Sequence, residues 1–131
     1  MAYSQQLIDH FERPRNVGTL DGGSPRVGTA LVGSPQVGEV IRLQIEIDPA
    51  TGLIAQARFK TYGSRAAIAA SSLVTQWLRG KTPGAATQIT HADIVRALDL
   101  PPERMHCAIL LTEAIATALA DHRHKTETTT S

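Results

Sequence analysis

At 131 residues and 14.0 kDa, with 42% hydrophobic, 19% charged and 4% aromatic residues, the chain has room for one ordinary domain and excludes a second. Thirteen Lys and Arg against twelve Asp and Glu leave a net charge of +1, scattered rather than gathered into a stripe, so neither nucleic acid nor a membrane surface is an expected partner. A chain of this size buries roughly two-thirds of its unfolded surface, so any metal would serve function rather than rescue the core.

Cys107 is the only cysteine, which excludes an intramolecular disulfide and an all-cysteine metal site within one chain. No basic segment followed by a long apolar run opens the sequence, and the expected location is the cytoplasm.

Ser4 reads as an N-cap, with Tyr3 against Ile8 as a hydrophobic staple, for a short helix ending before Pro14. Six glycines and two prolines between Asn16 and Gly38 predict irregular backbone with one strand near Val27 to Val32. From Val40 to Asp48, Ile41, Leu43, Ile45 and Ile47 alternate with Arg42, Gln44, Glu46 and Asp48, which predicts a strand with one face in the core and the other in water. The turn Asp48-Pro49-Ala50-Thr51-Gly52 leads into a second strand, Ile54 to Tyr62, making a hairpin.

After Gly63 the period changes. Ala67, Ala70, Val74 and Trp77 recur at helical spacing and predict a helix over Ser64 to Arg79, with Gly80 as its stop. Thr90 and Asp93 stand at capping-box spacing ahead of another short helix that Pro101 and Pro102 end. The last helix, Pro102 to His122, carries Met105, Ala108, Ile109, Thr112, Ile115 and Leu119 on one side, and residues 123–131 read as a polar, disordered tail to a 1–122 domain. Strands first and helices later predict an α+β fold: a small three-stranded antiparallel sheet covered on one face by helices. No phosphate-binding glycine motif opens a helix after a strand, which excludes a nucleotide-binding α/β repeat.

Four local features could carry chemistry. His106-Cys107, near the start of the last helix, sits where the helix dipole lowers a thiol pKa and favours a thiolate or a metal ligand, although a lone cysteine is also a common buried apolar residue. Gly33 to Glu39 is a Gly/Pro loop whose carboxylate is either solvated or a ligand. In Tyr62-Gly63-Ser64-Arg65 the serine reads as an N-cap, with no local sign of a general base or oxyanion hole, and no enzyme is expected. Leu100-Pro101-Pro102-Glu103-Arg104 is either a helix boundary or a stiff docking peptide.

At these places, and in Met1-Ala2-Tyr3-Ser4, Ile8-Asp9-His10, Pro14-Arg15-Asn16-Val17-Gly18, Ala57 to Gly63 and Ser71 to Thr75, the chain resembles the IscU/NifU N-terminal family of iron–sulfur cluster assembly scaffolds over about its first 122 residues. The resemblance implies that family's α+β fold and a site at one end of the sheet formed by three cysteines and an aspartate. It also implies that Val37 and Ser64 stand in two cysteine positions, Arg65 in that of a small residue, and Glu39 in that of the aspartate, with His106-Cys107 intact. A [2Fe–2S] cluster is normally held by four thiolates or by thiolates with histidine. Val37 has no donor atom, Ser64 offers a hard oxygen, and Arg65 adds positive charge, so no conventional cluster is expected. Glu39, His106 and Cys107 remain as candidate ligands for zinc or iron.

The family's chaperone-binding Leu-Pro-Pro-Val-Lys corresponds to Leu100-Pro101-Pro102-Glu103-Arg104, where the new carboxylate implies weakened binding of an Hsp70-type chaperone. Three roles follow as expectations. The first is a pseudo-scaffold that meets a cysteine desulfurase or other assembly proteins. The others are a metal or cluster carrier using Glu39, His106 and Cys107, either alone or across a dimer, and a persulfide acceptor at Cys107.

Overall fold

In a computed structural model, which describes residues 3–130, three strands form one antiparallel sheet in the order β1 (Val27–Ser34), β2 (Glu39–Ile47) and β3 (Ile54–Tyr62). The helices are α1 (Gln5–Glu12), α2 (Arg65–Leu78), α3 (Pro83–Ala86), α4 (His91–Leu98) and α5 (Met105–Thr130). Met1 and Ala2 of the family-like opening, and Ser131 of the expected tail, lie outside the described residues. Among the described residues no helix is long and apolar enough to cross a membrane.

The alternation in β2 sets the layering. Ile41, Leu43, Ile45 and Ile47 are buried, and they meet Ala66, Ala67, Ala70, Leu73 and Val74 of α2 and Ala108, Leu111, Ile115 and Ala118 of α5 in one core. α2 lies along β3 and α5 along β1. The caps read from the sequence are made. The Leu7 N–H donates to Ser4 Oγ at 3.1 Å, Ala67 N–H to Ser64 Oγ at 3.1 Å, and Thr90 and Asp93 close a reciprocal capping box.

The other face of β2 is less open to water than its polar residues suggest. Gln44 is buried beneath residues 16–24, accepting the Leu20 N–H at 2.8 Å and donating to Thr29 Oγ1 at 3.1 Å, while Arg42 donates to Thr19 Oγ1 at 2.6 Å. The same segment covers the edge of β3, where Gly18 N–H donates to Phe59 C=O and Phe59 N–H to Asn16 C=O. A glutamine accepts and donates at once, so it can be buried against backbone as an isoleucine cannot.

Two helix faces also differ from the expected ones. Leu78, not Trp77, completes the core face of α2, and Trp77 is only partly buried between α2 and α4. On α5 the buried stripe is Cys107, Ala108, Leu111, Ala114, Ile115, Ala118 and Leu119, while Met105 and Ile109 are exposed. Alanine-rich sequence leaves the phase of the stripe ambiguous, because small residues fit equally well at the core and at its border.

The segment expected to be disordered after His122 continues α5 instead. The reason lies in two side chains on its inner side. Asp121 accepts the Thr29 N–H of β1 at 2.9 Å, and Lys125 pairs with Asp121 at 3.3 Å while donating to the carbonyls of Gly22 and Val27 at 2.6 and 2.9 Å. Backbone groups of the edge strand, Thr29 and Val27, and of Gly22 in the loop before it thus anchor the helix.

His10 shows a buried polar group with its partner. It shares a 2.8 Å hydrogen bond with Ser72 Oγ, which also accepts the Arg15 N–H at 2.9 Å. Burial, then the Arg15 charge, hold its pKa below the ordinary histidine value, against the smaller opposing effect of Asp9. The unfolded chain therefore binds this proton more tightly than the folded one. Stability is complete above the unfolded value near 6.5 and falls as the pH drops through it; His122, lowered by burial and Lys125, acts in the same direction. Thermal unfolding from pH 7.5 to 5 should show a falling midpoint, with a shallower slope in His10→Gln.

Candidate functional site

The topology gathers four of the sequence-derived residues at one end of the sheet. The β1–β2 connection is a 3-10 turn, Pro35–Val37, capped by Ser34 and ended by Gly38 in the left-handed region at φ +84°. Glu39 follows as the first residue of β2, opposite Ser34 in β1. Tyr62 ends β3, Gly63 turns the chain, and Ser64 caps α2. A second 3-10 turn, Pro102–Arg104, delivers His106 and Cys107 on the first turn of α5.

Glu39 is the centre of this group. Although charged, it is only 3% exposed. Ser64 Oγ–H donates to its Oε1 at 2.7 Å, His106 Nε2 lies 2.8 Å from Oε2, and Cys107 Sγ stands 3.2 Å from both oxygens. Cys107 Sγ and Ser64 Oγ are 3.9 Å apart. A ligand atom from each of Glu39, His106 and Cys107 falls within 4.8 Å of the others. Such a carboxylate, imidazole and thiol set matches zinc's ligand preferences and supplies one sulfur.

The helix dipole does not win at Cys107. Burial above all, then the hydrogen bond and charge of Glu39, push the thiol up to about 12, against smaller lowering effects from Ser64 and Arg104. Of the two readings of Cys107, the buried one therefore holds and the dipole-lowered thiol does not, because burial, and then a carboxylate that sequence does not place beside the sulfur, outweigh the helix dipole. At pH 8 the thiolate fraction should make Cys107 react with a thiol-specific reagent about a thousandfold more slowly than free cysteine. Reaction near the free rate would show the sulfur to be unburied.

Two glycines whose packing role the sequence reading missed make room for Glu39. A Cβ on Gly63 would sit 2.6 Å from the side-chain Cγ of Glu39, and one on Gly33 would sit 2.1 Å from its backbone carbonyl oxygen. The clue was available in the pattern, since each glycine directly precedes a serine that caps a helical turn.

Val37 stays outside the group, 60% exposed on its turn. Arg65 also departs from expectation. Its guanidinium carbon lies 5.3 Å from the centre of the Phe11 ring, so the cation is directed to α1 rather than set against metal binding at Glu39. In the Leu100–Arg104 segment, Leu100 is buried, Pro101 and Arg104 are partly buried, and Pro102 and Glu103 are exposed.

The family model described as "NifU-like N terminal domain" matches residues 2–129. The chain is 50% identical over 127 residues to the iron–sulfur cluster assembly scaffold protein IscU of Escherichia coli (strain K12), covering 97% of this chain and 98% of that one. It is 48% identical over 127 residues to the mitochondrial iron sulfur cluster assembly protein 1 of Eremothecium gossypii, covering 97% of this chain and 82% of the relative. A crystal structure of the N-terminal part of a nitrogen-fixing NifU-like protein from Brucella abortus superposes with a TM-score of 0.68 at 14% identity, over 93% of this chain and 94% of that one, and shows the shared fold.

Proposed function

This chain belongs to the NifU-like N-terminal domain family, and we propose that it serves iron–sulfur cluster assembly as a pseudo-scaffold, meeting a cysteine desulfurase or other assembly proteins without itself holding a conventional cluster. One observation carries this reading: the sheet-end site offers a single sulfur, Cys107, and the hydroxyl of Ser64 is committed to Glu39 and to the cap of α2. Two thiolate positions implied by the family resemblance are thus a hydrocarbon and an engaged hydroxyl. Neither replaces a soft thiolate on iron.

The test combines composition with binding. Tag-free protein, as purified and after anaerobic reconstitution with iron and sulfide, is expected to carry neither in stoichiometric amount, while still binding a cysteine desulfurase in a pull-down. Stoichiometric iron and sulfide with charge-transfer absorption abolished by Cys107→Ala would overturn the reading, as would absence of binding to the assembly proteins.

A second reading, a zinc or iron carrier, is favoured by the clustering of Glu39, His106 and Cys107. Metal analysis of the same preparation tests it. The persulfide-acceptor reading needs a thiolate that Glu39 and burial oppose in the free protein, and sulfur labelling of Cys107 by a desulfurase tests it. Glu103 supports weakened binding of an Hsp70-type chaperone by placing an exposed charge in the Leu100–Arg104 segment, and Glu103→Val should strengthen that binding if the segment docks there.

A further inference from the structure

We infer that Glu39 is a metal-independent latch, a carboxylate that ties the sheet to α2 and α5 by hydrogen bonds in the place where a bound cation would otherwise join them. The inference rests on the pseudo-scaffold reading for its biological sense, but its geometry stands alone. Zinc with bonds of about 2.0 Å to oxygen and nitrogen and about 2.3 Å to sulfur would hold its tetrahedral ligands about 3.3 Å (O to N) and about 3.5 Å (O to S) apart. The observed separations are shorter, at 2.8 Å for His106 Nε2 to Glu39 and 3.2 Å for Cys107 Sγ to Glu39. Those are contacts of groups closed onto one another rather than spaced around an ion.

The thiol is also placed equally from the two carboxylate oxygens, which centres it on the carboxylate. Ser64 completes the set from α2. One side chain thereby joins the first residue of β2, the N-cap of α2 and the first turn of α5. Gly63 shapes the space for it, since a Cβ there would collide with the Glu39 side chain. A buried carboxylate without partners would be costly, and here Ser64 and Cys107 face one oxygen and His106 and Cys107 the other.

The consequence is that the folded form needs no metal. Tag-free wild-type protein should unfold within about 1 °C of the same temperature with or without EDTA, and a tenfold excess of zinc sulfate should raise the midpoint by less than about 2 °C. Glu39→Ala should lower it by about 6–10 °C. Amide exchange should accelerate at least about tenfold in Ser64 to Ala67 and Met105 to Ala108, while Leu43 and Ile45 in mid-sheet keep their protection. Should Glu39→Ala fail to fold, His106→Ala, which removes the half-exposed partner, should still lose about 2–4 °C and gain no response to zinc.

Zinc raising the wild-type midpoint by as much as Glu39→Ala lowers it, with reversal by EDTA, would overturn the latch. So would unchanged midpoints and exchange in both variants. Desulfurase binding measured on the same wild-type preparation separates the two ideas, because its loss defeats the pseudo-scaffold reading while leaving the latch results as they stand.

Discussion

A Val37→Cys, Ser64→Cys double variant, reconstituted anaerobically with iron and sulfide, should gain about two irons and two sulfides per chain with visible charge-transfer absorption, where the wild type stays below about 0.1. Ser64 supplies the main reason. Its Oγ already lies 3.9 Å from Cys107 Sγ and 2.7 Å from Glu39, so a sulfur at that position joins the existing group without moving the backbone. Val37 lies on the turn that leads through Gly38 into Glu39, and its exposed side chain leaves room for a thiol. Losing the Ser64 cap on α2 costs about 1 kcal/mol, well within the stability of an ordinary domain.

Arg65 decides a finer point of that experiment. Sequence placed a positive charge beside the lost cysteine, which suggested that Arg65→Gly would also be required. The cation instead stacks over Phe11, so the triple variant should bind no more cluster than the double one and should be slightly less stable. Adding Cys107→Ala to the double variant should abolish the absorption. A colourless double variant would mean that Val37 lies too far from the sheet end for its position to supply a ligand.

The layering was legible because β2 alternates without a break and α2 begins where the period changes at Gly63. The site's residues stood out as separate local features, but that they form one site was legible only through family resemblance, since no local motif joins Glu39 to Cys107 across 68 positions. What sequence hid was mutual orientation. It could not show that Glu39 is buried beside the sulfur, and so it left open whether Cys107 is a dipole-lowered thiol or a buried apolar residue, a choice that burial first and the carboxylate second decide. Nor could it show that Arg65 turns towards α1, or that Gln44 lies beneath a loop. The same limit applied to the end of α5. Polar composition after His122 reads as a tail, but Lys125 there, with Asp121 one turn before it, makes its partners in β1, about 98 and 92 residues earlier in the chain, a separation no local window spans.

That distant anchoring gives Gly28 a leverage its composition does not advertise. Gly28 sits in β1 opposite Ile45, and a Cβ there would lie 2.0 Å from the Ala118 carbonyl oxygen and 3.0 Å from His122 Cβ. The obstruction on the α5 side is helix backbone, which cannot rotate away as a side chain can. Gly28→Ala should therefore push α5 off the sheet and destabilise the protein by about 3 kcal/mol or more, lowering the unfolding midpoint by about 10 °C. The displacement should reach the site, because Cys107 lies roughly 16 Å towards the N-terminus of the same stiff helix. As α5 lifts, the sulfur moves out of contact with Glu39 and becomes accessible, so thiol labelling at pH 8 should accelerate at least about tenfold over wild type. An unchanged midpoint would place α5 farther from β1 than the structure does. A lowered midpoint with unchanged labelling would show that the first turn of α5 is held by Glu39 and Ser64 independently of the rest of the helix.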